Sequence, residues 1–260
     1  MNGTITVIDK GAVRLHSYMA PDDSVNVTTQ LIETPSRVVV VDAQFVRGYA
    51  DEVAAYARGL GKPLDRVIIT HAHPDHFGGA NRFGAPVHAL AVVRDQIAAL
   101  DDGQDPTGAP ILTAEVTPAV VIEPGTEVID GVPFVFEAHT GGEAADELVI
   151  KLPEQGVLVA QDLVYHDIHL FLGNNDIAGW RKAIERLAGE AGYDTILVGH
   201  GTPAGPEVFG EVSRYLADAE ELLGDDGDAY KAAIVDRYPG YGGRFVIDIA
   251  NRYLFGAGHA

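Results

Sequence analysis

Arg66-Val67-Ile68-Ile69-Thr70-His71-Ala72-His73-Pro74-Asp75-His76-Phe77-Gly78-Gly79 is the stretch on which the reading of this chain turns. Its first five residues make an apolar, β-branched run of the kind found in strands covered on both faces. The composition then changes abruptly: His71, His73, Asp75 and His76, four side chains able to bind a metal, fall within six residues. In the turn after a buried strand, alternate residues His71 and His73 point into one cleft, and Asp75 and His76 follow from the next turn. The bland alternative is a polar turn at a helix start in which histidines sit by chance, and the scarcity of His weighs against it.

Working outward, strands are predicted at Thr4-Ile8, Val25-Glu33 and Arg37-Val41, a meander-like opening, and a helix over Tyr49–Leu60, stopped by Gly61. Beyond the histidines come a short strand at Pro86-Ala89 and a helix over Leu90–Leu100. Asp101–Pro118, rich in Asp, Gly, Pro and Thr, reads as a loop or lid. Strand-like runs recur at Ala119-Ile122, Glu127-Ile129, Pro133-Glu137, Glu147-Leu152 and Val157-Ala160, with Asp130-Gly131 as a tight turn. A helix over Ile177–Ala188 carries Trp180, Ile184 and Leu187 at helical spacing, and Thr195-Val198 is a strand ending in Gly199-His200-Gly201. Pro206–Leu223 and Ala229–Tyr238 read as closing helices. The expected fold is α/β: a four-layer αββα sandwich of two mixed β-sheets with outer helices, as one domain over 1–260.

Composition narrows the function. With 47% hydrophobic residues the 260-residue chain has ample core material, and a net charge of -20 repels polyanions, which disfavours a nucleic-acid partner. There is no Cys, so a metal site must be built from His, Asp and Glu. No stretch approaches the ~20 apolar residues of a membrane helix, and the first residues do not read as a secretion signal, so the expectation is a cytoplasmic protein without membrane partners.

The H-x-H-x-D-H string after an apolar strand resembles the defining motif of the metallo-β-lactamase superfamily, and lactonase-like members offer the nearest comparison. The resemblance extends over His139-Thr140-Gly141-Gly142-Glu143, Val159-Ala160-Gln161-Asp162 and Val198-Gly199-His200. It implies two divalent metal ions, zinc first, with iron or manganese as alternatives. His71 and His73 would hold the first ion, Asp75, His76 and His200 the second, and Asp162 both. The chain departs from the family's H-T-P-G-H at one place: Glu143 stands where the second His belongs and is assigned to the first ion, with His139 and Asp146 as competing candidates. Two His and one carboxylate suit zinc and non-haem iron alike, and the extra negative charge makes the ions weaker Lewis acids.

The implied mechanism is attack by a hydroxide shared between the metals on an electrophilic carbonyl, with Asp75 orienting it and shuttling its proton. Asp42, at the end of Val38-Val41, resembles the family's acidic residue that orients a ligand His, and Tyr165 matches the offset at which quorum-quenching lactonases place a Tyr that donates to a substrate oxygen. His166 and His169 are not taken as ligands; His16, Tyr18 and Met19 in one loop, and Phe171 and Leu172 in another, are candidates for an apolar wall. The leading function is hydrolysis of a small ester, lactone or related acyl compound. The alternatives are a thioester or β-lactam hydrolase, an iron-dependent redox enzyme of the same fold, and a non-catalytic binding protein that has kept the fold. A small-molecule substrate is the expected partner, and a homodimer is open.

Overall fold

The apolar runs of the first half pair in chain order. In the computed structural model, which describes residues 1–256, β1 (Thr4–Asp9), β2 (Arg14–Met19), β3 (Thr28–Glu33) and β4 (Val38–Val41) form an antiparallel meander. Parallel neighbours need a crossover, and α1 (Arg47–Gly59) supplies it between β4 and β5 (Leu64–Ile68). The chain then makes the short α2 (Pro74–Phe77), β6 (Val87–Ala89), α3 (Ala91–Ala98), a small hairpin of β7 (Gly103–Gln104) and β8 (Pro110–Ile111), α4 (Thr113–Val116) and β9 (Val120–Val121). The resulting seven-stranded sheet runs β1-β2-β3-β4-β5-β6-β9. The all-valine β4 lies inside it, buried throughout, which is why its sequence does not alternate.

The second sheet, β10 (Gly125–Ile129), β11 (Val132–Thr140), β12 (Asp146–Leu152), β13 (Val157–Tyr165) and β14 (Thr195–His200), is antiparallel except for the β13–β14 pair. α5 (Ile177–Ala188) makes that crossover, and α6 (Val208–Leu222), α7 (Gly227–Arg237) and α8 (Arg244–Leu254) follow. Asp130 and Gly131 turn between β10 and β11 with φ of 52° and 82°, as a two-residue hairpin demands.

Alternation along β13 and β14 builds the layers. Val157, Val159 and Leu197 join the core between the sheets, with Phe134, Phe136 and Leu148. Their neighbours Leu158, Ala160, Ile196 and Val198 face the other way, onto Trp180, Ile184 and Leu187 of α5 and Val212 and Leu216 of α6. On the far side, Val53, Ala54 and Ala57 of α1 cover the first sheet. The αββα sandwich expected from the sequence is the architecture observed.

Several local readings are corrected. The run Val25-Glu33 becomes a strand only at Thr28, because Val25 and Asn26 adopt left-handed φ of 50° and 55°. His16, Tyr18 and Met19 belong to β2 rather than to a loop, and His16 is buried between Tyr56 Oη at 2.9 Å and Glu33 Oε2 at 3.0 Å, away from any wall of the site. β13 does not end at Ala160. It continues to Tyr165 through a bulge, with shifted register and a φ of 41° at Gln161. The Asp101–Pro118 segment carries the β7–β8 hairpin and α4, and α8 was not anticipated.

Candidate metal centre

The two sheets bring four separated segments together where β5, β13 and β14 end. Thr70 donates through its N and its Oγ1 to Asp42 Oδ1 and Oδ2, both at 2.9 Å, fixing the turn that starts at His71. Pro74 opens α2 at a position where its missing N–H costs nothing, and His76 N donates to His73 O at 3.0 Å. His71 and His73 thus precede α2, and Asp75 and His76 lie within it.

Distances divide the side chains into two sets. His73 Nδ1 is 2.9 Å from Glu143 Oε2, and His71 Nε2 is 3.7 Å from the same oxygen and 3.8 Å from Asp162 Oδ2. His76 Nε2 and His200 Nε2 each lie 3.5 Å from Asp75 Oδ2. Asp162 sits between the sets, with Oδ1 3.1 Å from His76 Nε2 and Oδ2 3.2 Å from His200 Nε2. Within each of the groups His71, His73, Glu143, Asp162 and Asp75, His76, His200, ligand atoms fall within 4.8 Å of one another.

The donor atoms fit divalent metal on structural grounds. His71 Nε2, His76 Nε2, Glu143 Oε2 and Asp162 Oδ1 are buried without a hydrogen-bond partner, although buried polar atoms are normally satisfied. The opposite edges of three imidazoles are held: His76 Nδ1 by Asp42 Oδ2 at 2.8 Å, His200 Nδ1 by the Val25 carbonyl at 2.8 Å, and His71 Nδ1 by Thr70 Oγ1 at 3.1 Å. Such contacts set the ring orientation and aim Nε2 inward. Gln161, at the β13 bulge, donates its amide to Asp42. Gly199 is equally specific: a Cβ there would collide with Asp162 Oδ1.

Electrostatics points the same way. Burial raises the Glu143 carboxyl to about 7 despite His73 beside it. His73, which burial alone would lower, is lifted to about 9 by Glu143. Burial and the neighbouring His76 hold His71 well below its usual value. Burial works against ionised Asp162, yet His76 and His200 keep it well below the carboxylate range. A cluster so strongly coupled is one that a multiply charged cation would relieve.

The other sequence candidates separate cleanly. His139 is buried against the Arg186 guanidinium, outside both ligand sets, and burial with that guanidinium lowers it to about 4. Asp146 accepts from Gln96 at 2.9 Å instead of reaching the cluster. Tyr165 Oη donates to Asp162 Oδ2 at 3.0 Å, its ring 4.4 Å from that of His200. His166 Nδ1 bonds Thr202 O at 2.9 Å and His169 Nδ1 bonds Tyr215 Oη at 3.0 Å, both away from the centre. Phe171 lines the cavity, and Leu172 packs into the outer core. The backbone carbonyl of Val25, Thr70 and Gln161 were not read from the sequence; their only local sign was proximity to a motif residue.

His73, Asp75, Glu143, Tyr165 and His200 open onto a cavity of about 410 Å³, within the range of small-molecule sites. Its remaining walls include Phe45, Pro106, Phe171 and one face of α8, and among the described residues no Lys or Arg lines it.

The family model described as "Metallo-beta-lactamase superfamily" matches residues 23–200. The chain is similar to an alkyl/aryl-sulfatase of Saccharomyces cerevisiae, 27% identical over 249 residues, covering 77% of this chain and 37% of that protein. It is also similar to a linear primary-alkylsulfatase of a Pseudomonas strain, 23% identical over 241 residues, covering 75% and 45%. The chain thus spans less than half the length of these two relatives. Among solved structures, a metallo-β-lactamase from Pontibacter korlensis superposes with a TM-score of 0.66 at 22% identity, covering 83% of this chain and 100% of the other. FIM-1 from Pseudomonas aeruginosa in its mono-zinc form gives 0.64 at 22%, covering 84% and 96%.

Proposed function

This chain belongs to the metallo-β-lactamase superfamily, and from that premise we propose that it is a metal-dependent hydrolase of a small ester. The observation that carries the reading is the position of Asp162 between two sets of ligand side chains, each with an orphaned, buried donor atom, beside a cavity. His71, His73 and Glu143 would hold one ion, Asp75, His76 and His200 the other, and Asp162 both. When bound, the ions supply Lewis acidity, polarising an oxygen of the scissile group and acidifying water.

The chain's own residues divide the remaining work. Asp75 is the carboxylate of the set with appreciable solvent exposure, 21% of its side chain, and it orients the attacking water and takes its proton. Asp42, Thr70 and the Val25 carbonyl keep three imidazoles turned inward. Tyr165 directs its hydroxyl hydrogen at Asp162, so its first role is to hold that carboxylate; donation to a substrate oxygen would require the bond to break. Phe45 and Phe171 exclude bulk water from the cavity, which strengthens every charge interaction inside it.

The bond cleaved is a carboxylic ester, open or closed as a lactone. The sulfate ester is a second reading, favoured by the similarity to an alkyl/aryl-sulfatase and a linear primary-alkylsulfatase. The test is elemental analysis of protein purified without added metal, then assays of the metal-loaded protein on carboxylic ester, lactone, sulfate ester, thioester and β-lactam panels. Two equivalents of metal with turnover of a carboxylic ester or lactone support the proposal. Turnover confined to sulfate esters moves the bond to the second reading, and a protein that takes up no metal overturns both.

A further inference from the structure

One wall of the cavity comes from a helix beyond the matched residues 23–200: α8 presents Phe245, Val246, Ile249 and Tyr253 to it. Their spacing places them along one side of the helix, while Ile247 packs into the outer core. Phe245 and Tyr253 are 54% and 55% exposed, although large aromatic groups lose free energy by facing water. Their place is the mouth of the cavity, and a track of rings leads inward from it. Tyr253 meets Phe171 edge-on with centroids 5.7 Å apart, and Phe171 meets His73 edge-on, also at 5.7 Å.

The helix is anchored to both banks of the site. Gly243 N donates to Asp22 Oδ1 at 3.1 Å, three residues before the Val25 carbonyl that holds His200. Gly242 N donates to Asp167 O at 2.8 Å and its carbonyl accepts from His169 N at 3.1 Å, within the loop that carries Phe171. Away from the ligand cluster, the charged side chain on the cavity wall is Asp23, and no Lys or Arg lines the cavity among the described residues. A substrate carboxylate placed along this wall would lose its hydration and find no partner.

Resting on the metal-centre reading above, we propose that α8 is the specificity element of the site: Phe171, Phe245 and Tyr253 receive the non-reacting part of the substrate, an uncharged alkyl or aryl group, and reject an anionic one. The test separates head from tail. Calorimetry on the zinc-loaded protein compares acetohydroxamate, octanohydroxamate and a hydroxamate of the octanoyl length ending in a carboxylate. The octanoyl tail is expected to tighten binding roughly a hundredfold over the acetyl compound, from partial burial of its added methylenes, and the terminal carboxylate to remove most of that gain. In the double variant Phe245→Ser/Tyr253→Ser the gain should fall below about tenfold with acetohydroxamate binding unchanged. Equal binding of acetyl and octanoyl compounds, an undiminished gain in the variant, or full tolerance of the carboxylate end overturns the proposal. Failure of acetohydroxamate itself to bind overturns the metal-centre reading beneath it.

Discussion

Glu143 stands where the family motif that the chain resembles has a His, and the geometry places its buried Oε2 2.9 Å from His73 Nδ1 and 3.7 Å from His71 Nε2. Replacing Glu143 by Ala is expected to halve the bound metal and cut hydrolysis at least ~100-fold, whereas Asp146→Asn leaves both unchanged; metal analysis beside steady-state kinetics decides. Asp42 acts through another side chain. Asp42→Ala frees the His76 ring and should weaken metal binding roughly 10–100-fold, read by competition with a chelating dye. The motif residues were legible because strand alternation and short spacing are local properties. The proximity of Glu143, rather than His139, to these histidines was not, since it depends on which side of β11 and its following turn faces them, and on the Arg186 guanidinium that occupies His139.

At the scale of elements, the bulge in β13 and the glycine of β14 fit each other. Gln161 turns out of register, Asp162 is aimed between the ligand sets, and Gly199 leaves the space that Asp162 occupies. Gly199→Ala should therefore lower metal content and activity with little change in secondary structure, seen by elemental analysis beside circular dichroism. Two buried histidines on other elements contribute to acid sensitivity. His139 on β11 and His169 in the β13–α5 loop are each lowered to about 4, by burial first, with Arg186 and Arg244 respectively adding to it. The unfolded chain, with His near 6.5, binds their protons first, so the stability they contribute is complete above that value and is lost as pH falls from 6.5 toward 4. His139→Gln should flatten the decline in that window by up to about 1.4 kcal/mol per pH unit, measured by urea unfolding. Strand bounds were less legible than strand existence: Val25 is β-forming by type, yet it and Asn26 take left-handed φ where His200 and Gly201 bond their carbonyls.

For the whole molecule, the ion pair would act as a tie between sheets, since His71, His73, Asp75 and His76 follow the first sheet and Glu143, Asp162 and His200 come from the second. Stripping metal with a chelator is expected to lower Tm by roughly 5–10 °C, with recovery on adding zinc at about a hundredfold above its Kd, as scanning calorimetry would show. Among the described residues no helix is long and apolar enough to cross a membrane.

By itself the sequence determined the fold class, the layered sandwich and the nucleus of the site, because hydrophobic periodicity and clustered ligands are written in consecutive residues. Only the tertiary structure brings Glu143, rather than His139 or Asp146, beside His71 and His73, turns the Tyr165 hydroxyl to Asp162, and walls the cavity with a helix beyond the matched region. Each of these depends on contacts between residues far apart in the chain, where packing and charge, rather than local propensity, choose among side chains of equal chemical promise.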